Sequence, residues 1–337
     1  MLSEVFSEVS RVGVVVIGRN EGERLKACLR SISKSEGATL AVYVDSGSED
    51  GSQKYARGLG LDVVELDTSI PFTAARARNA GWRRLLERQP GLAWIQFLDG
   101  DCVLQPNWLS TAVAKLAGDY SLAVVCGRRR EIYPEASIYN AMIDCEWDTP
   151  VGAARACGGD ALYLREALEQ VNGFDESLIA GEEPELCYRL RHAGWKVERI
   201  DCEMTLHDAN ITSFRQWWRR AIRTGWVWAD ASRRYGSTPE RFRVKEFRRV
   251  VLTTMILPFS LLFGLFLTPW AFLLLVVYPL QLLKNYLKPW RKCKSHRLAV
   301  CLAFYSLISR FAELQGIVKY WWSRCLRNKV EIIEYKA

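Results

Sequence analysis

Short apolar runs alternate with amphipathic segments through the first hundred residues of the chain. The runs are rich in β-branched residues and have the length of buried strands. They lie at Val12–Ile17, Leu40–Val44, Asp62–Leu66 and Ala93–Leu98. Between them, apolar residues recur at helical spacing, which predicts helices through residues 25–32, 54–59 and 76–88. This β-α-β-α-β-α-β order predicts an α/β fold with a mostly parallel sheet and crossover helices.

Small and acidic residues follow three of the predicted strands. They are Asn20 and Glu21, the segment Asp45–Gly47, and the pair Asp99 and Asp101. In an open α/β sheet, ligands bind at the carboxyl ends of the strands, so this pattern predicts a nucleotide-binding crevice. The sequence contains neither a G-x-G-x-x-G fingerprint after the first strand nor a P-loop. We therefore expect a metal ion, rather than a glycine-rich loop, to hold the phosphates.

The segment Asp99-Gly100-Asp101 is the candidate metal site. Two carboxylates together with phosphate oxygens suit a hard divalent cation, Mg²⁺ or Mn²⁺. An isolated Asp-Gly-Asp triplet is more often a simple turn. The neighbouring motifs decide between these readings.

A second hydrophobic pattern occupies the C-terminal part of the chain. Residues 250–283 are uncharged and largely apolar, and Pro258, Pro269 and Pro279 interrupt them. One helix of that length would span about 50 Å, which exceeds the ~30 Å hydrocarbon core of a bilayer. The pattern predicts a hairpin that turns near Thr268-Pro269, with short arms of roughly 18 and 14 residues.

Basic residues flank this apolar segment on both sides, which favours a cytosolic position for both ends. The flanking residues are Arg248, Arg249, Lys284, Lys288, Arg291 and Lys292. A second apolar stretch, Leu298–Ile308, predicts an interfacial or weakly inserted helix with Trp321 and Trp322 at the headgroups. A buried bundle of a soluble protein stays open as the alternative.

Charge and cysteine content narrow the partners and the compartment. The net charge of the 337 residues is +8, and ten Arg or Lys against three acidic residues lie between Arg219 and Arg249. Next to apolar sequence, this favours an anionic membrane surface over nucleic acid. Ten cysteines occur without a C-x-x-C pair, and Met1–Arg11 lacks the apolar region of a signal peptide. We expect reduced thiols on the cytosolic side and no zinc site.

Several motifs now combine into a family resemblance. They are V-V-V-I-G-R-N-E at 14–21, V-D-S-G-S-E-D-G-S at 44–52, A-R-A-R-N-A-G at 75–81, F-L-D-G-D at 97–101, G-G-D-A-L-Y at 158–163, G-F-D-E at 173–176 and G-E-E-P-E-L-C-Y-R at 181–189. In this order, the chain from about residue 12 to 225 resembles a family 2 glycosyltransferase. The resemblance implies the Rossmann-like GT-A fold, a nucleotide-activated sugar donor and inversion at the sugar carbon.

The resemblance implies roles on the donor side. Asp101 would be the direct metal ligand, and Asp99 would hold the ribose or a metal-bound water. His207 is a possible third ligand, although a structural histidine is equally compatible. The remaining expected donor contacts are Gly18, Arg19, Asn20 and Glu21 at the base, Asp45, Ser46 and Gly47 at the base or ribose, and Arg78 at the phosphates. Loop capping stays open for Asp45 and Asn20.

The resemblance also implies the groups on the acceptor side. The family's catalytic Asp is replaced here by Glu183, next to Glu182, and either carboxylate could act as the general base. Gly158, Gly159 and Asp160 would form the acceptor-side loop. Residues 214–228 combine Trp and Arg, including Trp217 and Trp218, as an interfacial helix does, and sugar stacking is the less favoured alternative.

We therefore predict a catalytic domain over residues 1–212, amphipathic Trp/Arg-rich helices over 213–249, and a membrane-associated helical region over 250–337. The last region would comprise the hairpin 250–283, an interfacial helix at 298–322 and a short tail. The expected reaction moves a sugar, from a donor expected to be a UDP-sugar, to a membrane-proximal or lipid-linked acceptor in polysaccharide or glycolipid synthesis.

We expect Mg²⁺ or Mn²⁺ as the cofactor, a membrane lipid surface as a partner, and no nucleic acid. The expected location is the cell membrane (inner or plasma), with the catalytic domain in the cytoplasm. Two other functions stay open: a sugar nucleotidyltransferase, and a catalytically degenerate membrane-anchored scaffold that binds nucleotide sugars. The sequence does not set the oligomeric state.

Overall fold

The computed structural model describes residues 11–35, 38–293 and 295–326. The chain forms two compact units. The first comprises Met1–Ile132 and Trp147–Ala209, and the second comprises Tyr133–Glu146 and Asn210–Ala337. The expectations for the N-terminal segment before residue 11, for the tail after residue 326 and for the flanking side chains at 288, 291 and 292 lie outside the residues and side chains that the structure describes.

A nine-stranded sheet forms the centre of the first unit. Its strands are β1 (Val12–Gly18), β2 (Ala38–Asp45), β3 (Asp62–Glu65), β4 (Trp94–Asp99), β5 (Cys102–Leu104), β6 (Leu122–Glu131), β7 (Gly152–Ala153), β8 (Ala161–Leu164) and β9 (Lys196–His207). The order is β3-β2-β1-β4-β8-β6-β9-β5, with β7 paired to β9. The first four strands of that order are parallel, and β8 is antiparallel to both β4 and β6.

Helices cover the sheet and explain why its central strands are almost entirely apolar. They are α1 (Glu23–Ser33), α2 (Ser52–Gly58), α3 (Ala74–Arg88), α4 (Trp108–Ala117), α6 (Arg165–Gln170) and α7 (Glu182–His192), whereas α5 (Ile138–Trp147) lies largely in the second unit. Six of the seven residues of β1 are buried, as expected for a parallel strand with both faces covered. The predicted α/β fold is confirmed.

The second unit is helical. Its elements are a 3₁₀ turn (Pro134–Ala136), α8 (Phe214–Tyr235), α9 (Val244–Val251), a π-helical turn (Leu252–Ile256), α10 (Leu257–Leu267), a 3₁₀ segment (Pro269–Val276), α11 (Val277–Cys293) and α12 (His296–Leu326). Ser213 and Gln216 form a reciprocal capping box that fixes the start of α8. Three stretches are long and apolar enough to cross a membrane: Val244–Leu267, Pro269–Leu287 and His296–Leu326.

The predicted break near Thr268 is confirmed, because Thr268 has an extended backbone and its side chain caps the following segment. The two arms are longer than expected, at 24 and 19 residues, because the helices continue beyond the uncharged sequence. The third stretch contains the predicted interfacial or weakly inserted helix and extends beyond it on both sides. It forms one continuous helix of 31 residues that is long and apolar enough to cross a membrane.

The tryptophans of α8 are only partly available for the predicted interfacial role. Trp217 and Trp226 are buried, and the Trp226 ring meets the Tyr320 ring of α12 edge-on at 5.2 Å. A side chain at Gly225 or Gly316 would collide with the backbone of the facing helix, so α8 and α12 approach closely at these two glycines. The interfacial role predicted for this segment therefore does not fit the buried rings of Trp217 and Trp226, because α12 covers that face.

Eight cysteines among the described residues are free thiols, five of them buried. Cys145 is instead disulfide-bonded, which departs from the expectation of reduced thiols throughout.

Candidate functional site

The loops that follow β1 and β2 are joined by hydrogen bonds at the carboxyl edge of the sheet. Ser46 N–H donates to the Gly18 carbonyl over 3.1 Å. The Asn20 amide oxygen accepts from Glu49 N–H, and the Asn20 N–H donates to the Ser48 hydroxyl. Asn20 adopts a left-handed backbone, with a φ of 54°, which asparagine tolerates better than most residues. The two polar strand ends therefore form one connected surface.

Asp45 lies inside this surface rather than on it. Its carboxylate accepts hydrogen bonds from the Tyr43 hydroxyl, the Gln53 amide, and the backbone N–H groups of Gly47 and Ser48. The side chain is 1% exposed. This arrangement matches the loop-capping alternative, so Asp45 shapes the expected nucleoside loop from within.

The other residues expected at the nucleobase remain at the sheet edge. Arg19 is exposed, and its guanidinium lies 4.3 Å from the centroid of the Phe72 ring. Glu21 forms an ion pair with Arg24 at 2.8 Å. Arg19 and Phe72 thus place a cation and an aromatic face together beside the β1 loop.

Asp101 and His207 form the candidate metal site. Asp101 follows β4, and His207 is the last residue of β9, which pairs with β5 so that His207 lies opposite Cys102. His207 Nε2 is 3.1 Å from Asp101 Oδ2, and both side chains are buried. The His207 ring also meets the Trp147 ring at 4.7 Å. Asp101, Cys102 and His207 offer ligand atoms that all lie within 4.8 Å of one another.

The donor set and the electrostatics of this cluster fit a divalent cation. Burial, and then the nearby Arg129 guanidinium, lower the pKa of His207 to about 4, so the imidazole is neutral at pH 7. A neutral imidazole beside a carboxylate is a ligand set that Mn²⁺ accepts. His207 Nδ1 is buried and has no hydrogen-bond partner among the described residues. Within the described chain, His207 is thus in contact with Asp101 through Nε2, while its Nδ1 has no partner there.

Arg78 on α3 is the centre of a buried charge cluster. Its guanidinium lies 2.8 Å from Asp99 Oδ1, 2.8 Å from Glu182 Oε1 and 3.1 Å from Glu183 Oε1. The Arg78 side chain is only 2% exposed, which departs from the expected phosphate-facing fork, because three carboxylates already surround the cation. Arg78 instead joins the Asp-Gly-Asp segment to the pair of glutamates at the start of α7.

The two glutamates differ in access and in charge state. Glu182 is 4% exposed and accepts a hydrogen bond from Arg78 Nη1, whereas the Glu183 side chain is 17% exposed. Burial and the Glu182 carboxylate raise the pKa of Glu183 to about 7, although Arg78 opposes them. Glu183 is thus the more accessible carboxylate, and its pKa suits proton transfer near neutral pH.

Arg129 of β6 is a charged residue of this site that the sequence analysis did not single out. Its Nη2 lies 2.7 Å from Asp160 Oδ2 and 3.7 Å from Asp99 Oδ2. The guanidinium also lies over the Trp147 ring, 5.4 Å from its centroid. Asp99 is therefore held between two guanidiniums. The available signal was the Arg128–Arg130 run directly after an apolar segment of β6.

Asp160 is fully buried, which corrects its assignment as an acceptor-side contact. Its carboxylate accepts from the Asp99 N–H over 3.0 Å and from the Thr205 hydroxyl over 2.7 Å. It also forms an ion pair with Arg129, so Asp160 holds the Asp-Gly-Asp segment in place from the buried side. The reason is the register of β8, which directs Asp160 toward the end of β4.

The two glycines before Asp160 leave room for this cluster. A Cβ at Gly159 would meet the Asp99 carboxylate and lie 2.7 Å from Arg78 Nη2, and one at Gly158 would lie 3.5 Å from the Arg129 guanidinium. The Gly-Gly pair thus lines the charged cluster directly. Of the other acceptor-side candidates, Trp217 and Trp218 belong to the second unit.

Other motif residues hold α7 in place. Arg189 binds Glu185 one turn earlier over 2.8 Å and donates to the carbonyls of Val171 and Gly173. The Asn79 side-chain amide donates to the Phe174 carbonyl and accepts a hydrogen bond from the Phe174 N–H. These contacts position the helix that carries the two glutamates.

Two protein families match this chain over overlapping segments. Residues 13–171 match Glycosyl transferase family 2, and residues 141–213 match the N-terminal domain of galactosyltransferase. The candidate metal ligand Asp101 lies in the first match, and the glutamate pair lies in the second.

Two curated proteins are similar to this chain. Glycosyltransferase AglE of Haloferax volcanii is 27% identical over 197 residues, which cover 55% of this chain and 63% of that protein. O-antigen chain rhamnosyltransferase RfbN of Salmonella typhimurium is 25% identical over 199 residues, which cover 55% and 61%. The chain thus spans less than two thirds of the length of either relative.

Among solved structures, the fold is similar to that of a mannosyltransferase, PcManGT from Pyrobaculum calidifontis, in complex with GDP-Man and Mn²⁺. The TM-score is 0.60 at 19% identity, and the alignment covers 93% of this chain and 88% of that one. At this identity the likeness concerns the fold, and it confirms the predicted GT-A architecture.

Proposed function

We propose that the chain, whose residues 13–171 match Glycosyl transferase family 2, transfers a sugar, with inversion, from a nucleotide-diphosphate donor to a lipid-linked acceptor. The observation that carries this proposal is the Arg78 cluster. One buried cation joins Asp99, at the expected donor site, to Glu182 and Glu183. Sugar transfer requires a donor site and a general base at a fixed separation, and this cluster supplies a rigid link between the two.

Asp101 and His207 are the residues that would hold a divalent cation. A bound Mg²⁺ or Mn²⁺ would act as a Lewis acid that stabilises the negative charge of the departing diphosphate. Asp99 has two guanidiniums beside it, so we assign it the ribose or a water molecule rather than a direct bond to the metal. The solved mannosyltransferase with Mn²⁺ in its complex supports a divalent ion of this kind.

Glu183 is the proposed general base. Its carboxylate accepts the proton of the acceptor hydroxyl while that oxygen attacks the anomeric carbon from the side opposite the leaving diphosphate. Because Glu183 is more exposed than Glu182, it is the carboxylate that an acceptor can reach. Glu182 keeps Arg78 in place, and Arg78 in turn limits the rise in the pKa of Glu183.

The similar proteins and the helical unit bear on the donor and the location. We propose a nucleotide-diphosphate sugar, with a UDP-sugar as the first to test, and polysaccharide or glycolipid synthesis as the process, as the rhamnosyltransferase relative suggests. Three helices long enough to cross a membrane support membrane association. We further propose the cell membrane, with the catalytic domain on the cytoplasmic side.

Release of nucleotide diphosphate from a panel of nucleotide sugars, by the full chain in detergent with Mn²⁺, tests the proposal. We expect wild type to release it and Asp101→Ala to lose at least roughly 100-fold in rate, since one buried ligand of the metal is removed. Asp201→Ala, which removes an exposed carboxylate of the same sheet, is the matched control. Donor binding without turnover in wild type would favour the scaffold alternative, and full activity of Asp101→Ala would refute the metal site.

A further inference from the structure

Two buried cysteines lie in contact beside the charged cluster, and the sugar-transfer chemistry assigned above uses neither of them. Cys157 Sγ is 3.4 Å from Cys187 Sγ and 3.0 Å from the Tyr163 hydroxyl. Cys157 directly precedes the Gly158-Gly159 pair, and Cys187 lies on α7. The two cysteines are 30 positions apart, so their contact joins two separate segments of the first unit.

The contact joins the two segments that border the charged cluster. Cys187 follows Glu183 by four residues, about one helical turn, which places both side chains on the same side of α7. On the other segment, a Cβ at Gly159 would collide with the Asp99 carboxylate, so the backbone two residues after Cys157 already touches the cluster. A change in the distance between the two sulfurs therefore acts on both segments.

The hydrogen bonds give the two sulfurs different properties. The Cys187 thiol and the Tyr163 hydroxyl can both donate to Cys157 Sγ. The bond from Cys187, and then that from Tyr163, lower the pKa of Cys157, although burial opposes them. The same contact, together with burial, raises the pKa of the Cys187 thiol, which keeps its proton. Cys157 is thus the sulfur with thiolate character, which is the nucleophilic form of a cysteine.

Access to the two sulfurs follows the same order. Cys157 is 8% exposed and borders Gly158, which is exposed, whereas Cys187 is completely enclosed. Thiolate character and exposure together determine which cysteine an oxidant attacks. Because only a small part of Cys157 faces the solvent, a small hydroperoxide suits this approach better than a peptide disulfide does.

We propose that Cys157 and Cys187 form a peroxide-sensitive dithiol site, which hydrogen peroxide or another small hydroperoxide converts into a disulfide. The Cys157 sulfur attacks the peroxide oxygen, the oxygen–oxygen bond breaks, and a sulfenic acid and one water molecule result. The Cys187 sulfur then attacks the Cys157 sulfur, the sulfur–sulfur bond forms, and the sulfenic oxygen leaves as a second water molecule. Two thiols are oxidised by two electrons in total, and one hydrogen peroxide is reduced to two water molecules.

The disulfide would change the geometry of the charged cluster. A covalent sulfur–sulfur bond is shorter than the present contact of 3.4 Å, so its formation draws the Gly158-Gly159 loop and α7 together. We expect kcat of sugar transfer to fall at least roughly tenfold, since reacting groups tolerate little displacement. This effect on the rate rests on the proposed function, whereas formation of the disulfide does not.

Peptide mapping of the full chain in detergent tests the dithiol site directly. The protein is treated with hydrogen peroxide, its remaining thiols are blocked with N-ethylmaleimide, and it is digested without reductant. We expect the peptides that carry Cys157 and Cys187 to be joined, with a mass lower than their sum by two hydrogen atoms, and to separate in dithiothreitol. Absence of this cross-link in wild type, or a cross-link of Cys157 to Cys126 in its place, would overturn the proposal.

Single substitutions test the roles of the two sulfurs. Cys187→Ser leaves the sulfenic acid on Cys157 without the thiol that completes the disulfide, so dimedone should label Cys157 in this variant. Cys157→Ser should leave Cys187 unlabelled, and a label on Cys187 would contradict the assigned order. The matched control is Cys126→Ser, which removes another buried thiol of the same sheet and should form the cross-link as wild type does.

Release of nucleotide diphosphate separates this proposal from the proposed function. Reduced wild type without any release would contradict sugar transfer and leave the peptide map unaffected. In active wild type, peroxide should lower kcat at least roughly tenfold and dithiothreitol should restore it, while Cys157→Ser should keep its rate in peroxide. Equal losses in both proteins would place the effect of the oxidant elsewhere and refute the switch.

Two features of the chain bear on these comparisons. Cys145, which is disulfide-bonded, is present in every protein compared, so its reduction by dithiothreitol affects them alike. If Cys157→Ser does not fold, the peptide map of wild type decides by itself, because it requires no substitution.

Discussion

Replacement of Glu183 by Gln tests the assignment of the general base most directly. The substitution keeps the size of the side chain and its contact distance to Arg78, but it removes the ability to accept a proton. Glu182 and Asp99 still neutralise Arg78 in this variant, at 2.8 Å each, so the cluster is expected to remain folded. The effect should therefore appear in the chemical step.

The size of the effect follows from the role. A positioned general base contributes roughly 10²- to 10⁴-fold to the rate, so kcat of Glu183→Gln should fall by that factor while the KM of the donor changes little. Because the pKa of Glu183 is about 7, its basic form increases with pH. About a tenth of the carboxylates are ionised at pH 6, about half at pH 7 and about nine tenths at pH 8, so kcat/KM of wild type should rise roughly tenfold between pH 6 and pH 8.

The assay is release of nucleotide diphosphate at saturating acceptor, measured from pH 5.5 to pH 8.5 for wild type, Glu183→Gln, Glu182→Gln and the exposed control Glu166→Gln. Wild type and Glu166→Gln should show the rise. Glu183→Gln should be slow and independent of pH in this range. Glu182→Gln should lower the Tm, because the buried Arg78 guanidinium loses one of its charged partners. It should keep the rising profile but move it to lower pH, because the Glu182 carboxylate that raises the pKa of Glu183 is gone.

Two outcomes would refute this reasoning. The first is a Glu183→Gln variant with wild-type kcat, which would remove Glu183 from the chemical step. The second is a low, pH-independent kcat of Glu182→Gln together with a wild-type kcat of Glu183→Gln. That result would assign the general base to Glu182.

Two further substitutions test the packing of the charged cluster. Gly159→Ala should keep the fold, because its new methyl group meets only the ends of the Asp99 and Arg78 side chains. It should separate the Asp99–Arg78 ion pair and lower kcat at least roughly tenfold. Wild-type activity would show that this ion pair can shift without loss of rate. Arg129→Met should lower the free energy of unfolding in urea by about 3 kcal/mol, since it leaves a buried carboxylate without its cation. Arg128→Met, at the half-exposed neighbour, should change it by less than about 1 kcal/mol, and equal effects of the two would contradict the burial argument.

Local periodicity was sufficient to predict the parallel half of the sheet. Strands β1 and β4 are largely apolar runs, so burial on both faces is visible in the sequence itself. The carboxyl edge could be predicted for the same reason, because polar residues follow directly where a run ends. Asp101 and the β1 and β2 loops therefore lie at the edge that the pattern indicates.

Contacts between distant elements could not be predicted in this way. Arg78 and Glu182 are 104 positions apart, and they meet only because α7 begins beside the first turns of α3. Arg129 reaches Asp160 through the pairing of β6 with β8, which no local pattern specifies. From the sequence alone, three successive arginines in a strand cannot be told from the charged residues of an exposed edge strand.

The continuity of α12 was missed for a related reason. Arg310 and Glu313 divide the apolar sequence of α12, and a charge within such a stretch ordinarily marks its end. In the structure both residues are buried against neighbouring helices, so the helix continues through them to Leu326. The continuity of α12 depends on packing within the second unit, and a hydropathy profile carries no information about that packing.

The sharing of Arg78 between Asp99 and Glu183 also has a thermodynamic consequence. Any ligand that changes the charge near Asp99 must change the proton affinity of Glu183 through the same guanidinium. Such coupling is reciprocal, so donor affinity and the state of protonation at the base alter one another by the same factor. Donor binding should therefore be accompanied by a fractional exchange of protons with the buffer, visible as a heat that depends on the buffer's ionisation enthalpy.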